Sequence, residues 1–242
     1  MYIATKYAEH PLVKPFGQIV YDQINIAGSL IIEMAGQGTK RPLSITNKVS
    51  FMSLFRLRES LHSVLLLALN GFVRDASVLL LTLIELKLDV KYIGCNSNLA
   101  HKWIEHSKEN TKPWKVSDLI LALYPDLSEY EANKEIYRYF SGIKHANPAI
   151  GKASFPLGVS DSWLVFDDDQ NKPNLIGIAL FAAGSEGFEI IDMALETFSS
   201  TGFSIGIFKD SVAKSQENLS KLNAEHVHRM LCELIQRDIQ QQ

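Results

Sequence analysis

Residues 59–90 read ESLHSVLLLALNGFVRDASVLLLTLIELKLDV, and the fold turns on how this run is parsed. It holds the most apolar part of the chain, yet Asn70, Gly71, Arg74, Asp75 and Glu85 interrupt it. The interruptions come well before the roughly 18 uninterrupted apolar residues that a membrane span needs. Asn70-Gly71 is a turn signal, and the apolar residues on either side recur at helical spacing. The reading is two long helices, about 46–69 and 72–93. Their connection is short, which predicts an apolar helical hairpin.

Upstream, Phe16, Ile19, Val20, Ile24, Ala27, Leu30, Ile31 and Met34 form one helical stripe over 16–35. Gly36 and Gly38 are its expected stop, with GQGTKRPLS (36–44) as a loop. Downstream, Pro113 and Pro125 break residues 96–128 into two short helices. A helix over 129–146 follows, with Ser128 as expected N-cap and Glu131 in the capping-box position. Within 151–173, Ser162–Phe166 alternates weakly between turn residues and suggests a loop or small β-hairpin near 153–167. Helices at 174–199 and 211–239 complete a mainly α helical bundle. The expected division is a bundle at 1–150, the 151–173 connection, and a C-terminal helical pair at 174–242 that packs back on the bundle or stands as an appendage.

The 242 residues are 46% apolar and 21% charged, an ordinary globular balance. A net charge of −3 draws no nucleic acid as a whole, so such a role requires a local basic patch. Two cysteines, Cys95 and Cys232, are too few for a disulfide framework or a cysteine-built zinc site. The N-terminal residues MYIATKYAEHPLVKPFGQ do not have the pattern of a secretory signal, and a cytoplasmic protein without membrane association is expected.

The chemistry-bearing stretch is EIYRYFSGIKHANP, residues 135–148. At 100° per residue, Arg138, Ser141 and His145 share one stripe of the helix, which Lys134 extends by a turn. Ile136, Tyr137, Phe140 and Ile143 lie on the opposite side. A histidine exchanges protons near neutral pH, and an arginine holds phosphate through paired N–H groups. Together they suit metal-independent RNA cleavage. The imidazole activates a ribose 2′-hydroxyl or protonates the leaving oxygen, while the guanidinium steadies the phosphate charge. Lys134, Lys144 and Lys152 supply a local positive surface for RNA.

With these residues the chain resembles the HEPN superfamily, whose signature is an Arg and a His separated by four to six residues near a helix end. The resemblance implies an all-helical bundle, an endoribonuclease of toxin–antitoxin or phage-defence type, and a homodimer whose two motifs face each other. It implies catalytic roles for Arg138 and His145 and an antitoxin or operon partner protein. Residues 51–148 also look like an uncharacterised bacterial helical family through Gly71, Glu85, Ser141 and His145, a likeness that implies no activity. A second Arg–His pair within the four-to-six range is Arg56 and His62, with five residues between them.

Glu85 sits in a helix apolar around most of its circumference, and a carboxylate is rarely buried without a partner. With Arg74 and Asp89 it forms a polar stripe that must meet water, a neighbouring cation or a cleft. Arg74, Arg138 and Lys144 are candidate structural partners. As a functional residue, Glu85 would instead orient the His145 imidazole. No cofactor or metal is expected: His101, Glu105 and His106, like His226 and His228, lack the spacing that puts two ligands on one helix face. AAGSEG (182–187) reads as a packing or kink site. Beside the nuclease stand a non-catalytic module binding a protein or small-molecule partner in a defence or stress operon, and a nucleotide-modifying or regulatory accessory of such an operon.

Overall fold

The stripe anticipated near the N-terminus closes into α1, Lys14–Gly38, with all eight of its named apolar residues buried. The computed structural model describes residues 6–109, 113–145 and 172–227. The chain continues through α2 (Ile45–Leu69), α3 (Val73–Cys95), α4 (Ala100–Glu109), α5 (Val116–Leu123), α6 (Leu127–Lys144), α7 (Lys172–Ser200) and α8 (Lys209–Leu222). The protein is mainly helical, and no strand occurs among the described residues. The β-hairpin anticipated near 153–167 lies outside them, as does Lys152. So does the stretch beyond 227 of the helix anticipated at 211–239, which gives way to a π-type turn at Asn223–Val227.

Two boundary readings need correction. α1 passes Gly36 and ends at Gly38, before a C-cap at Thr39 with φ −68°. A glycine ends a helix by adopting left-handed φ, and among the described glycines only Gly71 and Gly202 do so. Nor does Ser128 cap α6. Asp126 caps it, its Oδ1 accepting from the amides of Ser128 (2.9 Å) and Glu129 (3.2 Å). Asp is at least as good an N-cap as Ser and stands two residues earlier, so it starts the helix first.

Between α2 and α3, Asn70 turns its side chain back to donate to the Leu66 carbonyl at 2.8 Å. Gly71 follows at φ +86°, a conformation that costs a residue with a Cβ about 1–2 kcal/mol. α2 and α3 pack on each other, and α1, α2, α3 and α7 enclose the main core around Phe16, Leu30, Leu57, Leu80 and Phe198. The other side of α3 takes α5 and α6 through Ile84, Leu88, Leu119 and Ile120. A helix covered on both sides must be apolar almost all round, as the 73–95 sequence is. α7 is long and apolar enough to cross a membrane, but 67% of its most apolar window is buried within the bundle.

The AAGSEG segment is where α7 meets α1 and α2. Gln23 of α1 is fully buried and donates through Nε2 to the Gly184 carbonyl (2.8 Å) and the Ser215 hydroxyl (3.3 Å). A Cβ on Gly187 would stand 2.4 Å from Gln23 Oε1 and 3.2 Å from Leu61. Turning Gln23 aside would break both of its hydrogen bonds in a site closed to water. Gly187→Ala is therefore expected to cost about 1–3 kcal/mol by overpacking, read as a lower denaturant midpoint at unchanged slope.

Candidate functional site

α6 is seated on α3 and α5 by Tyr130, Tyr137 and Phe140, while Ile143 is buried near its end. That seating leaves Arg138 and His145 exposed. The two lie about 10 Å apart along the axis and within about 20° of one direction. His145 is the C-cap, its amide donating to the Ser141 carbonyl at 3.0 Å. The inward side is narrower than the sequence suggested, because Ile136, placed there by periodicity, is 49% exposed. No described helix covers α6 at that position.

The cations of the stripe are held by acids one turn back. Arg138 Nη1 donates to Glu135 at 2.7 Å, and Lys134 Nζ donates to Glu131 at 3.0 Å. The Glu131 hydrogen bond keeps the Lys134 ammonium above its usual range. Exposed ion pairs of this kind are worth only about 0.2–1 kcal/mol. A charge-assisted bond to phosphate is worth about 1.5–3 kcal/mol, so exchanging one partner for the other costs little. Lys144 is exposed at the end of the same helix.

Glu85 meets α6 through a residue that the sequence reading left among the packing groups. Tyr137 Oη donates to Glu85 Oε1 at 3.1 Å. Burial, reinforced by the Glu85 charge, pushes the Tyr137 hydroxyl up to about 12, so it remains a donor throughout the physiological range. Tyr137 precedes Arg138, so its bond to Glu85 ties α6 to α3 one residue before the outer stripe. A sequence cue existed: a lone carboxylate in an apolar helix needs a donor, and a tyrosine on the apolar side of an amphipathic helix can provide one. Arg74, also considered for Glu85, is exposed.

Among the described residues no three His, Cys, Asp or Glu side chains are grouped to hold a metal ion. Fold and site together define a mainly helical bundle that carries an exposed Arg–His stripe. In comparisons with known proteins the chain matches no family model, no curated protein and no solved structure.

Proposed function

We propose that this protein is a metal-independent endoribonuclease of the HEPN type, working in the cytoplasm as a homodimer under the control of an antitoxin or operon partner. What carries the reading is the joint exposure of Arg138 and His145 on one stripe of a helix whose opposite side is anchored. In the reaction the imidazole takes the proton of a ribose 2′-hydroxyl and the freed oxygen attacks phosphorus. The bond from phosphorus to the 5′-oxygen breaks, and an imidazolium returns a proton to that leaving oxygen. Two copies of the stripe facing each other would divide the base and acid roles between two imidazoles. Arg138 would leave Glu135 for the phosphate as charge gathers there.

A second reading, a non-catalytic module for a protein or small-molecule partner, is favoured by one observation. Within a single chain the polar groups of α6 are engaged locally, Arg138 with Glu135 and Tyr137 with Glu85. Expression of wild type and His145→Ala in bacteria separates the two. Growth arrest and fragmented total RNA with wild type alone support the nuclease. Identical growth and intact RNA from both, at equal soluble expression, leave the binding module.

A further inference from the structure

α2 packs on α1, α3 and α7, and the side left over carries a stripe that no described helix covers. Met52, Phe55, Glu59, His62 and Leu66 are all exposed, and their spacing of three and four residues keeps them within about 80° of one direction. The three apolar members are between 45% and 49% exposed, and Phe55 is braced by an edge-to-face contact with Phe51, ring centroids 5.1 Å apart. On α1, Tyr21 and Ile32 stand within about 60° of the direction in which Gly17 and Gly28 meet α2. Both are exposed and so flank the same stripe. Of the ten large apolar side chains exposed among the described residues, these five share one face, a concentration that marks an interaction surface. We propose that this face joins two copies of the chain, α2 antiparallel to α2, about a two-fold axis between Ser60 and Leu61.

The occupant follows from the order of residues along the stripe. Positions 52, 55, 59, 62 and 66 have the spacing of the a and d positions of a coiled coil, and in an antiparallel pair a of one helix lies level with d of the other. About this axis Phe55 lies level with Leu66 of the partner subunit, and Glu59 with His62 of the partner subunit. Each pairing occurs twice, as a contact of one patch with itself requires. An imidazole N–H donates to a carboxylate, so the two polar positions satisfy each other at the centre while apolar pairs close both ends. Moving the axis to Glu59 would set that carboxylate against its own copy and Phe55 against an imidazole. A parallel pair in register would likewise set Glu59 against Glu59, and like charges face to face oppose association. The charge pattern of α2 thus selects a second α2, in one orientation.

Tyr21 and Ile32 widen the contact beyond a single helix pair, toward the about 1,200–2,000 Å² that a stable interface buries. The two-fold axis crosses both α2 helices at right angles within the interface, so what flanks α2 on one side flanks its copy on the same side of the dimer. α3 is such a flank and carries α5 and α6, which places both copies of α6 on one side. The inference does not rest on RNA cleavage, and a dimer joined at α2 stands with or without it.

Sedimentation equilibrium of the full chain is expected to give twice the 27.1 kDa of one copy. Phe55→Asp, at a side chain already half in water, should keep the helical circular dichroism spectrum and weaken the dimer about 100-fold or more. Glu59→Lys and His62→Glu should each weaken it about tenfold or more, since each breaks both copies of the central pair. The double variant Glu59→Lys, His62→Glu restores opposite charges across the axis and should return to within about threefold of wild type. If Phe55→Asp does not fold, this charge swap decides alone. A wild type that stays monomeric at about 100 μM overturns the proposal, whatever else then covers the face. So does a double variant no tighter than the single ones. A dimer that persists in folded Phe55→Asp overturns this interface and leaves the nuclease reading standing, since His145→Ala tests that reading through RNA.

Discussion

Lys87→Met is expected to lower the unfolding free energy by about 3–5 kcal/mol, a large share of the roughly 5–15 kcal/mol that a typical domain has. Lys87 lies on α3 with its side chain 9% exposed, and its Nζ is 2.8 Å from Glu186 Oε2 on α7. Glu189, one turn on, stands at 3.8 Å. Removing the ammonium leaves the Glu186 carboxyl shut in without its cation, and either the charge or its neutralisation must then be borne. Burial alone would lower Lys87, but the pull of Glu186 and Glu189 wins and holds it above its ordinary 10.5. For Glu186 the balance goes the other way. Burial outweighs the attraction of Lys87 and holds the carboxyl above its ordinary 4.5. The two partners thus differ on the worth of the pair, because Lys87 answers two carboxylates while Glu186, the more enclosed of the two acids, answers mainly one cation.

The pH dependence follows from these directions. The Lys87 contribution is fully present below 10.5 and is lost as pH rises through its folded value. The Glu186 cost is absent below 4.5, where the carboxyl is protonated folded and unfolded, and it grows as pH climbs to its folded value. The deficit of Lys87→Met should accordingly be greatest near neutrality and narrow in acid. The double variant Lys87→Met, Glu186→Leu should regain most of the loss, since a buried pair replaced by apolar groups of similar volume is often neutral or stabilising. Urea melts of the three variants followed by circular dichroism measure all of this. A single-variant loss under about 1 kcal/mol at pH 7 would show the contact to be solvated like a surface pair.

Purified His145→Ala is expected to cleave single-stranded RNA about 10²–10⁴-fold more slowly than wild type, the range for losing one placed proton-transfer group. Arg138→Lys keeps the positive charge and loses the forked N–H pair, and about 10²-fold is expected if the fork stabilises the phosphate charge. Glu135→Gln provides the contrast. It releases Arg138 from an exposed ion pair worth under about 1 kcal/mol, so the rate should stay within about fivefold of wild type. Each of these side chains is exposed, so stability should change by no more than about 0.5 kcal/mol, and a rate change cannot be charged to unfolding. Equal rates for wild type and His145→Ala would remove the nuclease reading.

Local pattern was legible in the chain because it depends on near neighbours. The eight residues assigned to the core stripe of α1 are all buried, and the placing of Arg138, Ser141 and His145 on one side of α6 required only 100° per residue. Where two residues competed for one local role, pattern chose wrongly, taking Ser128 over Asp126 as the cap. It also expected a stop at Gly36 that the helix passes through, since a glycine permits left-handed φ without requiring it.

The contacts that give the site its character span the chain. Glu85 finds Tyr137 52 residues on, and Lys87 finds Glu186 99 residues on. Periodicity says that a buried carboxylate must have a partner and is silent on which, because a partner is chosen by how helices cross, and crossing depends on side chains from both. The amino-acid sequence by itself determined that this protein is a bundle of apolar helices with an Arg–His stripe facing outward, since helix geometry converts spacing into direction. Only the tertiary structure decided that Glu85 steadies α6 through a tyrosine and that Asp89 stands between the indoles of Trp103 and Trp114 beside a cleft. Those pairings come from packing α3 on both sides at once, which no local rule encodes.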